Sequence, residues 1–348
     1  MNMKLPVIRV LIVDDSLLFR KKLESSLGDQ QITVIGSAAS PSEAMEKIEQ
    51  LKPDVITLDV EMPQMNGLEF LRKLLPQHPI PVVVVSSRPE NAGEALGAGA
   101  VDFLQKPYIK TPEDLVLFLN RLRSMIKEAS RSKMPQTKAA AAATAQSVFL
   151  SAPVKAHSQA VIAIGASTGG TEAILAVVKN LPPATPGILV VQHMPAGFTK
   201  LYAERLDRVC QMSAKEAEDF DRVETGRILV AAGDYHMTLK RDAKGYYIRS
   251  QKGEKVSGHC PSVDVLFQSA AAEAGKYCIG VILTGMGADG AEGITQLRST
   301  GAYTIGQDEE SCVVYGMPME AFKRGGISKQ LPLNQIGAEI IYQLGKQQ

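Results

Sequence analysis

The feature that most restricts this chain is a repeated alternation. Short runs that are apolar throughout give way to longer stretches with helical spacing, and then return. "IRVLIVDD", "ITVIGSAA", "DVITLDV", "PVVVVSS" and "VDFLQKP" are five such runs in the first part of the chain. "VIAIG", "GILVVQH", "YCIGVILTG" and "AYTIGQ" follow in the second part. A strand that is apolar on every residue is buried on both faces, and such strands separated by helices build a parallel sheet covered on both sides. The expected class is therefore α/β, with two doubly wound parallel-sheet domains. A hairpin is expected in the second, within "ILVAAGDYHMTLKRDAKGYYIRS", around the turn Asp242–Gly245.

The helices carry start signals. Ser40 reads as an N-cap, Pro41 takes the first helical position and Glu43 completes a capping box. Ala44, Ile48 and Leu51 then share one face. Thr111, Pro112 and Asp114 repeat the signal further on.

Composition marks one division. From Lys127 to Ser158 the chain reads "KEASRSKMPQTKAAAAATAQSVFLSAPVKAHS", rich in Ala, Ser, Lys and Thr, with little apolar periodicity. It reads as a linker, giving domains at 1–127 and 159–348 with a linker at 128–158. Val148–Leu150 breaks the pattern and could dock on either domain. The length of 348 residues suits two such domains. A net charge of +1 with no basic stripe argues against a nucleic-acid partner. The four cysteines form no CxxC pair, so neither zinc nor a disulfide framework is indicated. The N-terminus offers no signal peptide or membrane span, and a cytoplasmic protein is expected.

Ligands of open parallel sheets bind at the carboxyl ends of the strands. In the first domain those ends carry Asp14 and Asp15, then Asp59, then Ser86 and Ser87, with Lys106 after the fifth strand. One such Asp alone would suit a turn. Several carboxylates together suit a hard divalent cation such as Mg2+, and a lysine and a hydroxyl beside them suit a phosphoryl group. A carboxylate placed there can become an aspartyl phosphate. The motifs "LIVDDS", "DVITLDVEMPQMNGLEFL", "VVVVSS" and "GAVDFLQKP" resemble the receiver domains of two-component response regulators, over about Ile8 to Lys127. The resemblance implies that Asp59 is phosphorylated and that Asp14, Asp15, Asp59 and the Glu61 carbonyl hold Mg2+. It further implies that Ser86 is the switch hydroxyl, Lys106 binds phosphate and Phe103 is the aromatic that moves. The segment Ser86–Gly99 is short for that family, so its fourth helix is expected to be stunted.

In the second domain "GASTG" fits G-x-S-x-G at a strand-to-helix turn and centres on Ser167. From the residues alone, Ser167 reads as a nucleophile, a helix cap or a wall of a phosphate cradle built on Gly165, Gly169 and Gly170. A nucleophile needs a base and an orienting acid. His193 ends a neighbouring apolar run, and Asp289 follows the run in "VILTGMGADGAEG". His236, after a Gly-Asp turn, reads as solvent-facing, His259 as a pocket residue, and Asp264 as a solvated or capping residue. Asp289 also suits the N-cap of the helix that follows it.

"IGASTGGTEAI", "VVQHMPAGFT", "PSVDVLF" and "ILTGMGADGAEG" resemble the catalytic domain of the chemotaxis protein-glutamate methylesterases, over roughly Gln159 to Gly345. The two resemblances together imply a flavodoxin-like receiver followed by a Rossmann-like α/β methylesterase domain. They imply Ser167 as nucleophile, His193 as general base and acid, Asp289 as the residue orienting it, Met286 N–H in the oxyanion hole and Thr168 nearby. The implied substrates are glutamyl methyl esters, and specific glutamines, on chemoreceptors. The implied phosphodonor is a histidine kinase, and the ester chemistry is expected to need no cofactor. The other reading is a response regulator whose second domain only binds a partner, or serves a signalling system other than chemotaxis.

Overall fold

The computed structural model describes residues 7–62, 65–88, 91–109, 111–132 and 156–347. The chain divides into two compact units, Met1–Ala145 and Gln146–Gln348. Most of the expected linker, and with it Val148–Leu150, lies outside the described residues.

The first unit alternates β1 (Ile8–Val13), α1 (Leu17–Ser26), β2 (Ile32–Ala38), α2 (Pro41–Leu51), β3 (Val55–Leu58), α3 (Gly67–Leu74), β4 (Val82–Ser86), α4 (Ala92–Gly97), β5 (Asp102–Gln105) and α5 (Pro112–Ala129). Its strands are parallel and ordered β2-β1-β3-β4-β5, the flavodoxin-like order. The order turns back on itself between β1 and β3, so a crevice opens where Asp14 and Asp59 follow those strands. The α4 helix has six residues, in line with the short segment that encodes it. Thr111 and Asp114 form the full capping box of α5. At α2 the box is altered. Ser40 Oγ accepts from Glu43 N–H, but Glu43 reaches back to Ala39 N–H at 2.7 Å.

The second unit contains β6 (Val161–Ala166), α6 (Gly170–Val178), β7 (Ile188–Gln192), α7 (Phe198–Val209), β8 (Ser213–Glu216), β9 (Arg227–Val230), β10 (Tyr235–Asp242), β11 (Gly245–Lys252), α8 (Val263–Glu273), β12 (Cys278–Ile282), α9 (Ala291–Ser299), β13 (Tyr303–Gln307), α10 (Met317–Lys323), β14 (Lys329–Leu331) and α11 (Leu333–Leu344). Seven parallel strands run in the order β14-β13-β12-β6-β7-β9-β8. The period of two along β6 sends Val161 and Ala163 to one core and Ile162 and Ile164 to the other. The first core holds Phe267 of α8, Ile294 of α9 and Met237 of β10, and the second holds Ile174 of α6, Leu206 of α7 and Ile336 of α11.

The expected hairpin forms, but over a shorter stretch. Tyr235–Asp242 pairs with Gly245–Lys252, whereas Ile228–Val230 joins the main sheet as part of β9. The apolar run is the same for both fates, and the break at Ala231–Asp234 carries the difference. Strands β8 and β14 were not legible because "SAKE" and "KQL" are polar and lie at the sheet edges.

Candidate active site

Ser167 follows directly on β6. Its N–H donates to the Thr284 carbonyl at 3.0 Å, and its own carbonyl accepts from Gly170 N–H at 2.7 Å and from Gln192 Nε2 at 2.8 Å. Thr284 Oγ1 donates to the Thr168 carbonyl at 3.0 Å. The turn is therefore held from both neighbouring strands, β7 and β12. The N-cap of α6 is Gly169, at φ +75°, and no side chain caps that helix, so Ser167 is not a cap. Gly285 leaves the room that the serine occupies. A Cβ there would lie 2.7 Å from Ser167 Cβ and 2.4 Å from Met317 Sδ.

His193 follows β7, the parallel neighbour of β6, and its N–H donates to the Ala166 carbonyl at 3.2 Å. Its Nε2 lies 2.8 Å from Asp289 Oδ2. A carboxylate can only accept there, so Nε2 carries the proton and Nδ1 holds the lone pair. Nδ1 is buried and has no hydrogen-bond partner among the described residues, Ser167 included. The geometry thus brings the three expected residues to adjacent strand ends, joins two of them, and leaves the basic nitrogen free. Serine–histidine bonds are often long before substrate arrives. Met286 follows β12 and is half-buried, and its N–H donates to no backbone carbonyl among the described residues. Thr168 is buried at 4% exposure.

Asp289 does not cap the helix that follows it. Its Oδ1 accepts from Ser262 Oγ at 2.7 Å and Asp264 N–H at 3.2 Å, and its Oδ2 accepts from Val263 N–H at 2.7 Å. These donors form the first turn of α8, so the carboxylate sits on the positive end of that helix. Burial alone would raise Asp289, but the His193 bond, the His193 charge when that ring is doubly protonated, the Ser262 hydroxyl and the Val263 N–H outweigh it and hold the carboxyl at about 2. Asp264 returns the arrangement, accepting from Gly293 N–H of α9 at 2.7 Å. It is 4% exposed rather than solvated, and burial raises its carboxyl above the ordinary range. Each aspartate caps the other's helix. Close approach of α8 and α9 makes this possible, because a Cβ at Gly293 would lie 2.7 Å from the Asp264 carbonyl oxygen.

Two further histidines surround this pair. His259 stacks on His193 with ring centroids 3.7 Å apart and planes 6° from parallel. His236, expected to face solvent, is half-buried and held at both ring nitrogens. Its Nε2 donates to the Glu254 carbonyl at 2.8 Å and its Nδ1 accepts from Ser262 N–H at 3.3 Å. Ser262 and Gln192 drew no attention in the sequence. The start signal in "PSVDVLF" could have found Ser262, since a serine before an apolar run reads as an N-cap.

In the first unit, oxygens of Asp14, Asp15 and Asp59 lie within 4.8 Å of one another. Asp14 and Asp59 are 2% exposed and Asp15 is exposed. Lys106 Nζ lies 2.6 Å from Oδ2 of both Asp14 and Asp59. Burial raises the Asp14 carboxyl, with Lys106 pulling the other way. Three carboxylates with one ammonium leave excess negative charge, and this all-oxygen donor set fits a hard divalent ion. Ser86 is fully buried at the end of β4, Phe103 is 5% exposed, and Glu61 N–H donates to Asp59 Oδ1 at 3.1 Å. The Glu61 side chain is drawn off by Arg88 at 2.5 Å, which leaves its main chain for the cluster. Gly67 lets α3 pack against the Asp59 main chain, where a Cβ would lie 2.1 Å from the carbonyl oxygen.

Comparison with known proteins bears on both sites. The family described as CheB methylesterase matches residues 162–340, and the response regulator receiver domain matches residues 10–120. A protein-glutamate methylesterase/protein-glutamine glutaminase 2 of Syntrophomonas wolfei is 50% identical over 98% of this chain and 99% of that protein. A protein-glutamate methylesterase/protein-glutamine glutaminase of Syntrophotalea carbinolica is 47% identical over 96% of this chain and 97% of that protein. The solved CheB methylesterase catalytic domain of Thermotoga maritima is 38% identical with a TM-score of 0.52, covering 54% of this chain and all of that one.

Proposed function

Since the chain belongs to the CheB methylesterase family, we propose that it hydrolyses glutamyl methyl esters on chemoreceptors, and deamidates specific glutamines there, under control of its receiver domain. The observation that carries this reading is the His193–Asp289 pair, which with Ser167 lies beyond the carboxyl ends of three adjacent parallel strands.

Ser167 Oγ attacks the ester carbonyl and passes its proton to His193 Nδ1. The imidazolium that forms is stabilised by Asp289 across the 2.8 Å bond. Met286 N–H faces the oxyanion. His193 then protonates the departing methanol, or ammonia when the substrate is a glutamine amide. Water, deprotonated by His193, releases the glutamate carboxylate and restores Ser167. No step calls for a cofactor.

In the receiver, Asp59 is the phosphorylated residue, with a histidine kinase as phosphodonor. Asp14, Asp15, Asp59 and the Glu61 carbonyl would hold Mg2+, which would supply positive charge beside the phosphoryl oxygens. Lys106 and Ser86 bind the phosphoryl oxygens, and Phe103 responds to the switch. Phosphorylation raises esterase activity by shifting the receiver away from a form that withholds substrate. The domain limits 1–127 and 159–348 belong to this reading. So does a cytoplasmic location; among the described residues no helix is long and apolar enough to cross a membrane.

The test is methanol release from methylated chemoreceptor membranes, with wild type and Ser167→Ala, each with and without Mg2+ and an acyl phosphate. Release that needs Ser167 and rises with phosphodonor supports both halves. Release that ignores phosphodonor keeps the esterase and removes the regulation. A fragment from residue 159 that is no more active than the unphosphorylated whole would also remove it.

A further inference from the structure

The His193 ring poses a mechanical problem. Among the described residues the ring makes one hydrogen bond, from Nε2 to Asp289, and that bond alone does not fix the ring plane. Nδ1 meets Ser167 only if the ring plane is right, since the lone pair lies in that plane. The second constraint is the His259 ring, lying flat on His193 at 3.7 Å. His259 stands on the loop 254–262. Within it, Val256 and His259 exchange backbone hydrogen bonds of 3.0 and 2.9 Å, and Ser257 Oγ donates to Asp264 at 3.4 Å.

The two ends of that loop are held by one side chain. His236, at the start of β10, donates from Nε2 to the Glu254 carbonyl and accepts at Nδ1 from Ser262 N–H. A single neutral tautomer satisfies both. Gly253 makes room for the ring, because a Cβ there would lie 2.7 Å from His236 Cδ2. Asp234 N–H adds a bond to the Cys260 carbonyl at 3.3 Å. Ser262, at one end of the loop, donates to Asp289 at 2.7 Å.

We propose that His236 is a positioning residue for His193. It holds Glu254 and Ser262, and so fixes the loop that lays His259 on the His193 ring and sets Ser262 against Asp289. This rests on the esterase reading above. His236 touches no reacting atom and acts only through the loop.

The test uses the full chain and a fluorophosphonate probe, whose phosphorus Ser167 Oγ attacks while fluoride leaves and the proton passes to His193. Labelling needs no receptor. His236→Ala and His259→Ala should each slow the saturated labelling step about tenfold, with half-saturation unchanged, because a displaced base costs rate rather than binding. The double variant should be no slower than either single by more than about twofold, since both remove the same constraint. Labelling of His236→Ala at the wild-type rate overturns the proposal. So does a loss that falls on half-saturation, or a double variant about a hundredfold slowed. If His236→Ala does not fold, His236→Asn, which keeps an acceptor for Ser262 N–H but cannot reach Glu254, takes its place in the cycle. A wild type that neither labels nor releases methanol sinks the esterase reading and this proposal with it. One that labels but releases no methanol removes only the substrate, and the cycle still decides.

Discussion

Asp289→Asn separates two duties of one carboxylate. The amide can keep its oxygen toward His193 and Val263, where Asp289 now accepts at 2.8 and 2.7 Å. Its NH2 then faces the Ser262 hydroxyl, which can rotate to accept, and the Asp264 N–H, whose present bond is the weakest at 3.2 Å. The histidine tautomer survives in that orientation, and the loss is mainly of charge. A unit charge about 4 Å from the imidazolium is worth about 4 kcal/mol at an effective dielectric near 20. That converts to about a thousandfold in rate. Stability should fall by about 1–2 kcal/mol, for the lost helix-end charge and one unpaired N–H. Methanol release and urea unfolding measure the two effects. Activity within tenfold of wild type would refute the counter-ion role. Unchanged stability would refute the capping role.

Three further outcomes are expected. Asp289, held at about 2 in the folded chain against an ordinary value of 3.8, contributes stability above pH 4 that is lost as pH falls toward 2. The amount is on the order of 2 kcal/mol, and Asp289→Asn should flatten that part of a stability–pH curve. Gly285→Ala forces a Cβ to 2.7 Å from Ser167 Cβ, and although the Met317 side chain can move, the serine turn cannot. Probe labelling should slow by about a hundredfold, with a stability loss of about 1–3 kcal/mol. Removing Mg2+ with EDTA should abolish acyl-phosphate labelling of Asp59, seen by intact mass, while the basal esterase rate of the unphosphorylated chain stays unchanged.

The strands apolar on every residue were legible because burial on both faces leaves no choice of residue type. The edge strands β8 and β14 were not, since half their surface meets solvent. The strand-end rule put Ser167, His193 and Asp289 on one rim, since each directly follows an apolar run or lies within a few residues of it. It could not find partners set by the packing of one helix against another. Asp264 and Asp289 each looked like a residue of its own segment. Their exchange depends on α8 and α9 lying side by side, a relation between residues 25 or more apart. The two bonds of His236 were hidden likewise, as its partners lie 18 and 26 residues along the chain.

The sheet order β12-β6-β7 has a consequence for how the site comes into being. Ser167 and His193 belong to consecutive strands and leave the ribosome close together. Asp289 lies 96 residues beyond His193, after the hairpin, α8 and the strand that must insert on the far side of β6. Parallel pairing over such a separation is slow to form. A nascent chain halted before β12 would carry the nucleophile and the histidine with no charge to orient them, and it would be inert toward any ester it met. The segment from β12 onward is thus a chemical safety catch, because no complete triad exists until that strand has been made and has paired with β6.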